Sequence, residues 1–373
     1  MWRKPVAAVA VTATLITVGL MLTPAASAAG PGELFFGDLN GDGVRDRLRL
    51  GTAPPRACAV AVEFGTAEGG FLAPRRYPYL PLGSPAAIRC PSLGVAVDLD
   101  PPVAGTPAVD ELVVGWYGGH PWGAEENLVV LRNLTPVDQV RAPRRPNHLG
   151  LADFDGDRRP DLYVWTDQGD GFATFLNPGI GTLRAGPVRY CAALVQHRLA
   201  DFDRNGATDV ALAYLERCAD SSRGVAVVLD DGTLVELQGA VDDRSGWTLH
   251  VLNADRNGVP DVVTYHVPSG ERRTFLATGT GAFVVSPLAV QDTFTVARVG
   301  PTPVPVQVND WVTRRARIEI VTPPTAGTLR VTDGRYVEYL PGPDPGVADQ
   351  FVYRIDQDGR SSTASVLIKI PTT

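Results

Sequence analysis

The chain has 373 residues, 34 Lys and Arg against 41 Asp and Glu, a formal net charge of −7, and 39 Gly and 32 Pro. Its length holds two or three domains, and its mild acidity lacks the basic footprint of a nucleic-acid binder. Frequent Gly and Pro, with no long apolar-periodic stretch after the N-terminus, argue against helices and predict an all-β mature chain of short strands and turns.

The N-terminus reads as an export signal. Arg3 and Lys4 precede an apolar run from Val6 to Leu22 and the small-residue site Ala26-Ser27-Ala28. Residues 1–28 are therefore expected to be a signal peptide cut after Ala28. The alternative is an uncleaved anchor, since the run approaches spanning length. No later segment spans a bilayer as an apolar helix, which predicts a secreted or extracellular protein, free or at the cell surface, with no membrane span after signal cleavage.

An acidic segment then recurs along the chain. Asp38-Leu39-Asn40-Gly41-Asp42-Gly43-Val44-Arg45-Asp46 returns as Asp153-Phe154-Asp155-Gly156-Asp157-Arg158-Arg159-Pro160-Asp161, as Asp201-Phe202-Asp203-Arg204-Asn205-Gly206-Ala207-Thr208-Asp209, and as Asn253-Ala254-Asp255-Arg256-Asn257-Gly258-Val259-Pro260-Asp261. A damaged copy starts at Asp98-Leu99-Asp100, is interrupted by Pro101 to Val109, and resumes its acidic end at Asp110. Each copy lies between apolar strand patterns, so each unit reads as a small antiparallel sheet that must stack on neighbours to bury its faces.

Side-chain oxygens at positions one, three, five and nine, with the carbonyl at seven, suit a hard cation, and Gly at six closes the turn. Without an ion, two carboxylates about 5 Å apart repel by roughly 3 kcal/mol at an effective dielectric near 20. Mixed carboxylate, amide and carbonyl oxygens favour Ca2+ over Mg2+. The expected ligands are Asp38, Asn40, Asp42, Val44 and Asp46; Asp153, Asp155, Asp157, Arg159 and Asp161; Asp201, Asp203, Asn205, Ala207 and Asp209; and Asn253, Asp255, Asn257, Val259 and Asp261, where Val44, Arg159, Ala207 and Val259 offer carbonyls. Arg158 at position six makes the third turn less regular, the fifth copy has the fewest carboxylates, and the damaged second is expected to hold no ion. Asp/Asn/Gly runs also form plain turns; the regular recurrence favours the metal.

Beside the damaged copy, Trp116-Tyr117-Gly118-Gly119-His120-Pro121-Trp122 is an aromatic loop. Trp116, Tyr117 and Trp122 are candidates for stacking on a sugar or docking a protein, against the alternative of an aromatic edge packed between sheets. In an exported chain Cys58, Cys90, Cys191 and Cys218 suggest disulfides, and sequence proximity favours Cys58 with Cys90 and Cys191 with Cys218. From about Leu288 a strand-rich segment follows, with alternation in Asp349–Asp356 and Ala364–Ile370 and a hairpin turn at Asp333-Gly334. Some seven short strands suggest an Ig-like sandwich. There, Asn309, Asp310 and Asp349 are read as turn residues or as contacts to an interdomain ion.

Phe36-Gly37-Asp38-Leu39-Asn40-Gly41-Asp42-Gly43 resembles the signature of FG-GAP and VCBS repeats, known from integrin α-chain propellers and exported bacterial proteins. The resemblance runs from about Gly30 to Pro287 and implies a calcium-bearing β-propeller over residues 29–287. Residues 288–373 resemble cadherin-like bacterial Ig modules. The resemblance implies non-catalytic recognition or adhesion towards an extracellular glycan or protein. The alternatives are a secreted carbohydrate-active lyase or hydrolase with an acidic cleft on a propeller face, and a structural spacer at the cell surface. His120, His148, His197, His250 and His266 show no metal-binding spacing, and no Gly-x-Ser-x-Gly elbow occurs.

Overall fold

A computed structural model describes residues 28–30, 32–51, 59–79, 90–100, 105, 107–116, 128–143, 146–166, 171–220, 222–238, 247–266, 271–312, 316–357 and 359–372. The expected signal peptide falls almost wholly outside them, as do Cys58, Tyr117 and Trp122.

The described residues are all-β, without a helix. Five four-stranded antiparallel sheets follow one another, each a meander in which sequence neighbours pair. The first holds β1 (Leu34–Gly37), β2 (Asp46–Leu50), β3 (Ala59–Glu63) and β4 (Arg75–Pro78), and the second β5 (Leu93–Val97), β6 (Glu111–Gly115), β7 (Leu128–Arg132) and β8 (Thr135–Val140). The third holds β9 (His148–Ala152), β10 (Asp161–Trp165), β11 (Phe172–Leu176) and β12 (Arg184–Tyr190). The fourth holds β13 (Ala192–Ala200), β14 (Asp209–Arg217), β15 (Gly224–Val228) and β16 (Leu234–Gln238), and the fifth β17 (Trp247–Leu252), β18 (Asp261–His266), β19 (Glu271–Ala277) and β20 (Phe283–Ser286). Every acidic segment bridges the first and second strands of a sheet, so one hairpin per sheet carries it.

Four apolar layers join consecutive sheets. Leu48, Leu50, Val60 and Val62 of the first meet Leu112, Val114, Val129 and Leu131 of the second. Val95, Val113 and Val130 meet Leu149, Leu162 and Phe175 of the third. Phe154, Tyr163 and Phe172 meet Leu212, Tyr214 and Val228 of the fourth, and Ala211, Val225 and Val227 meet Leu249, Val262 and Phe275 of the fifth. Strands covered on both faces carry continuous apolar runs, as in Leu112-Val113-Val114 of β6, where all five residues of the strand are buried. Asp46-Arg47-Leu48-Arg49-Leu50 alternates instead, with Leu48 and Leu50 buried and Arg49 exposed.

The ends of the stack therefore differ. The outer face of the first sheet is open, with Leu34 45% and Phe36 47% exposed. The outer face of the fifth is met by the C-terminal module: Arg272 donates to the carbonyls of Val308 and Asp310 at 2.5 and 2.9 Å, and the Trp311 ring lies 5.8 Å from that guanidinium and 6.1 Å from His250.

The C-terminal module has its own core, including Val304, Ile318, Tyr339, Phe351, Tyr353, Val366 and Ile368. Seven strands form two sheets: β21 (Asp292–Thr295), β27 (Arg360–Lys369), β26 (Ala348–Gln357) and β23 (Arg317–Thr322) in one, and β22 (Thr302–Val304), β25 (Tyr336–Pro341) and β24 (Gly327–Thr332) in the other. β21 runs parallel to β27, and the other pairs are antiparallel. The expected hairpin turn is present, with Asp333 and Gly334 both at positive φ.

Cys191 and Cys218 are bonded, tying the start of β13 to the end of β14. Cys90 is also disulfide-bonded, and its expected pairing with Cys58 lies outside the described residues. Trp116 corrects the aromatic-platform expectation: it is 1% exposed, sits in the core between the first two sheets and meets Tyr79 edge-on at 6.5 Å.

Candidate metal centre

Each intact loop turns on two left-handed residues, at positions four and six: Gly41 and Gly43, Gly156 and Arg158, Arg204 and Gly206, Arg256 and Gly258. Arg158, expected to disturb the third turn, takes φ 68° and closes it as Gly does elsewhere. Three loops thus hold an arginine in a conformation that costs a β-carbon about 1–2 kcal/mol.

The position-one carboxylates are fixed by backbone donors. Asp38 accepts from the N–H of Gly41 and Gly43 at 2.8 and 2.7 Å, and Asp153 from Gly156 and Arg158 at 2.7 and 2.8 Å. Asp201 accepts from Asn205 and Gly206 at 3.2 and 3.0 Å. Positions three and five then accept from positions five and seven: Asp155 from Asp157 at 3.2 Å, Asp157 from Arg159 at 2.8 Å, Asn205 from Ala207 at 2.7 Å, and Asn257 from Val259 at 2.6 Å. The first loop repeats this through Asn40, Asp42 and Val44. These nested turns aim successive side-chain oxygens inward.

The position-nine carboxylate has a second task that sequence reading missed. Asp46, Asp161, Asp209 and Asp261 are fully buried. One oxygen accepts the N–H at position two, from Leu39, Phe154, Phe202 and Ala254 at 2.9, 2.7, 2.8 and 2.7 Å. The other accepts an N–H just beyond or at the end of the third strand, from Gly65, Asn177, Asp230 and Ala277 at 3.0, 2.7, 2.8 and 2.8 Å. Each is a staple between loop and sheet, and each oxygen keeps a lone pair for a cation. Burial, then nearby loop carboxylates, push Asp161 and Asp209 up to about 7 and Asp261 up to about 6.

Convergence is greatest in the third and fourth loops, where oxygens of Asp153, Asp155 and Asp161, and of Asp201, Asp203 and Asp209, lie within 4.8 Å of one another. The first loop supplies Asp38, Asp42 and Asp46 with Asn40 between them. The fifth brings only Asp255 and Asp261 beside Asn257 and Asn253, whose Oδ1 is buried without a partner. Asp230, outside the repeat motif, joins the fourth loop by accepting from Asn205 Nδ2 at 2.7 Å. Its signal was slight: an acidic residue just after β15.

The second repeat solves the charge problem differently. Glu111, and not Asp110, does the position-nine work, accepting from Leu99 N at 2.8 Å. Its other oxygen takes Nε of Arg132 at 3.0 Å, and the same guanidinium pairs with Asp100. Gly181, between β11 and β12 of the third sheet, makes room for it, since a β-carbon there would collide with the Arg132 guanidinium. Asp110 turns to the first loop and accepts from Asp38 N at 2.8 Å. A positive group thus stands against the position-three and position-nine acids in the repeat whose spacing is broken, so the donor set of the intact loops fits a hard cation.

Neighbouring loops are also linked: Asp110 N donates to Asp38 O at 2.7 Å, Gly181 N to Leu99 O at 3.1 Å, Thr208 N to Asp153 O at 2.8 Å, and Arg204 to Asn257 O. The described histidines serve aromatic packing: His148 stacks on Trp165 at 4.0 Å, His266 meets Trp247 at 4.7 Å, and His197, half-buried beside Tyr163, is held neutral down to about 4 by desolvation. In the C-terminal module Asp349 accepts from Thr325 N, Ala326 N and Tyr339 Oη at 2.9, 3.0 and 2.7 Å, and Asp310 from Val290 N at 2.7 Å. Both hold turns.

No curated protein matches the chain. Among solved structures, a SusE-like surface-located polysaccharide-binding protein from the Bacteroides thetaiotaomicron heparin utilisation locus is 11% identical, with a TM-score of 0.18, over 60% of this chain and 42% of that one. An endo-fucoidan hydrolase of glycoside hydrolase family 107 is 14% identical, with a TM-score of 0.21, over 93% of this chain and 43% of that one. The chain spans under half the length of either, and likeness at these scores carries no argument. Residues 285–370, the seven-stranded module, match the bacterial Ig domain family Big_9.

Proposed function

We propose that this chain is a secreted, calcium-binding protein of FG-GAP/VCBS type, in which propeller-like blades and an Ig-like sandwich serve extracellular recognition or adhesion without catalysis. The observation that carries the calcium reading is Arg132: in the broken repeat a guanidinium faces the position-three and position-nine acids, which in the third and fourth loops converge with no such partner, Arg159 of the third loop pairing instead with Asp157 at position five. With the first sheet's outer face open and the fifth's met by the Ig-like module, the five sheets are read as an arc of blades. Ion binding there is folding free energy, because ligand geometry exists only in the folded loop.

Titration calorimetry on metal-free protein tests the reading. Binding by the third and fourth loops, weaker binding by the first and fifth, and none by the second are expected, with Asp155→Asn and Asp203→Asn each removing one tight site. Heat-neutral titration with millimolar calcium would sink it. The rival, a polysaccharide lyase or hydrolase, is met by product release from polysaccharides.

A further inference from the structure

We propose that the open outer face of the first sheet binds an acidic polysaccharide, with Arg49 and Arg76 gripping its carboxylate or sulfate groups and Phe36 and Leu34 lying against its sugar rings. The proposal deepens the recognition role above and rests on it.

Strand register places these side chains on one surface. Leu34 pairs with Arg49, Arg49 with Ala61, and Ala61 with Arg76, forming one row across the four strands; Phe36, Arg47 and Glu63 form the next. Arg47 is committed, paired with Glu63 and lying over the Phe71 ring at 4.5 Å. Arg49 and Arg76 are exposed and have no hydrogen-bond or ion-pair partner among the described residues. Three arginines against one glutamate make a basic face on a chain whose net charge is −7.

The geometry suits a chain of sugars. Arg49 and Arg76 lie two strands apart, about 10 Å, with only the methyl of Ala61 between them, so the row is a shallow trough with a cationic fork at either side. Four strands of four or five residues give a face of about 300 Å², against about 800 Å² per partner in a stable protein interface. A second copy fits poorly. Face-to-face pairing would oppose like charges, and stacking on the far end of another copy is blocked where Trp311 covers the fifth sheet.

The test uses the full mature chain in saturating calcium, on surfaces bearing hyaluronan, dextran sulfate or uncharged dextran. Binding to an acidic polymer and not to dextran is expected, with Arg49→Gln and Arg76→Gln each weakening it about tenfold at an unchanged melting temperature. Arg184→Gln, an exposed arginine on the third sheet, should leave binding intact, and Phe36→Ala should weaken it. Equal losses with Arg184→Gln, binding that survives the Arg49→Gln/Arg76→Gln pair, or capture of an acidic protein partner in place of any polysaccharide would each overturn the assignment. A calcium-bound wild type that ignores both acidic polymers also overturns it while leaving the calcium reading standing. A wild type that binds no calcium but still binds through Arg49 and Arg76 does the reverse.

Discussion

The second and fourth repeats start from the same motif and reach opposite electrostatic endings. In the second, Arg132 answers Glu111 and Asp100 from within the chain. In the fourth, Asp201, Asp203 and Asp209 converge with Asp230 close by, and no cationic side chain among the described residues pairs with them. The second repeat carries a positive partner for its acids; under the calcium proposal the fourth takes up an ion in its place. The C-terminal module shows a third solution. Asp292 and Asp310 are buried around Tyr353, whose hydroxyl donates to Asp310 at 2.8 Å. Burial, aided at Asp292 by the neighbouring Asp310 charge, pushes both up to about 7, so there the answer is a proton.

Calcium removal should break this comparison most visibly. If the third and fourth loops each bind at 100 times Kd, they add about 5 kcal/mol together, and chelation should lower Tm by about 10–20 °C in calorimetry. Equal melting with chelator and with calcium would mean the loops are plain turns. Next, Asp209→Asn should destabilise the protein by about 2 kcal/mol even without calcium, because it disturbs the two hydrogen bonds that the buried carboxylate accepts from backbone N–H groups. Asp203→Asn should matter only when calcium is present. Denaturant melts of the two variants, with and without the ion, separate staple from ligand.

Arg132→Met sharpens the comparison from the other side. It should cost about 2 kcal/mol, discounted from a fully buried pair because Arg132 is 35% and Asp100 43% exposed. Added calcium should recover part of that loss, and a calcium-independent loss would show that the guanidinium acts only through packing. The smallest effect concerns protons. Asp292 and Asp310 titrate higher folded than unfolded, so their contribution is full below about pH 4 and fades as pH rises through about 7. In saturating calcium the melting temperature should decline over that window, and Asp310→Asn should flatten the decline.

The repeat period, the hairpin position of the loops, the seven strands of the last module and the Cys191–Cys218 bond were legible because each leaves a local mark. The double duty of Asp161 and Asp209 was not, since their partners Asn177 and Asp230 lie beyond the motif. Glu111 escaped notice because the inserted Pro101 to Val109 displaces it from its counting position. For Trp116 the sequence left open a binding platform or an aromatic edge packed between sheets, and the meeting of two sheets buries it as the second. Arg49 and Arg47 mark a one-sided strand in the sequence, but nothing local says whether that side meets solvent or another sheet.

The backbone links between adjacent loops carry one more consequence. Because Thr208 N reaches Asp153 O and Asp110 N reaches Asp38 O, the calcium proposal implies that rigidity gained on ion binding in one loop would pass to its neighbours, as in other arrays with nearest-neighbour coupling. With the fifth sheet met by the Ig-like module and the outer face of the first sheet exposed, a falling calcium level should fray the molecule from its first sheet inward, and early proteolytic cuts would fall there.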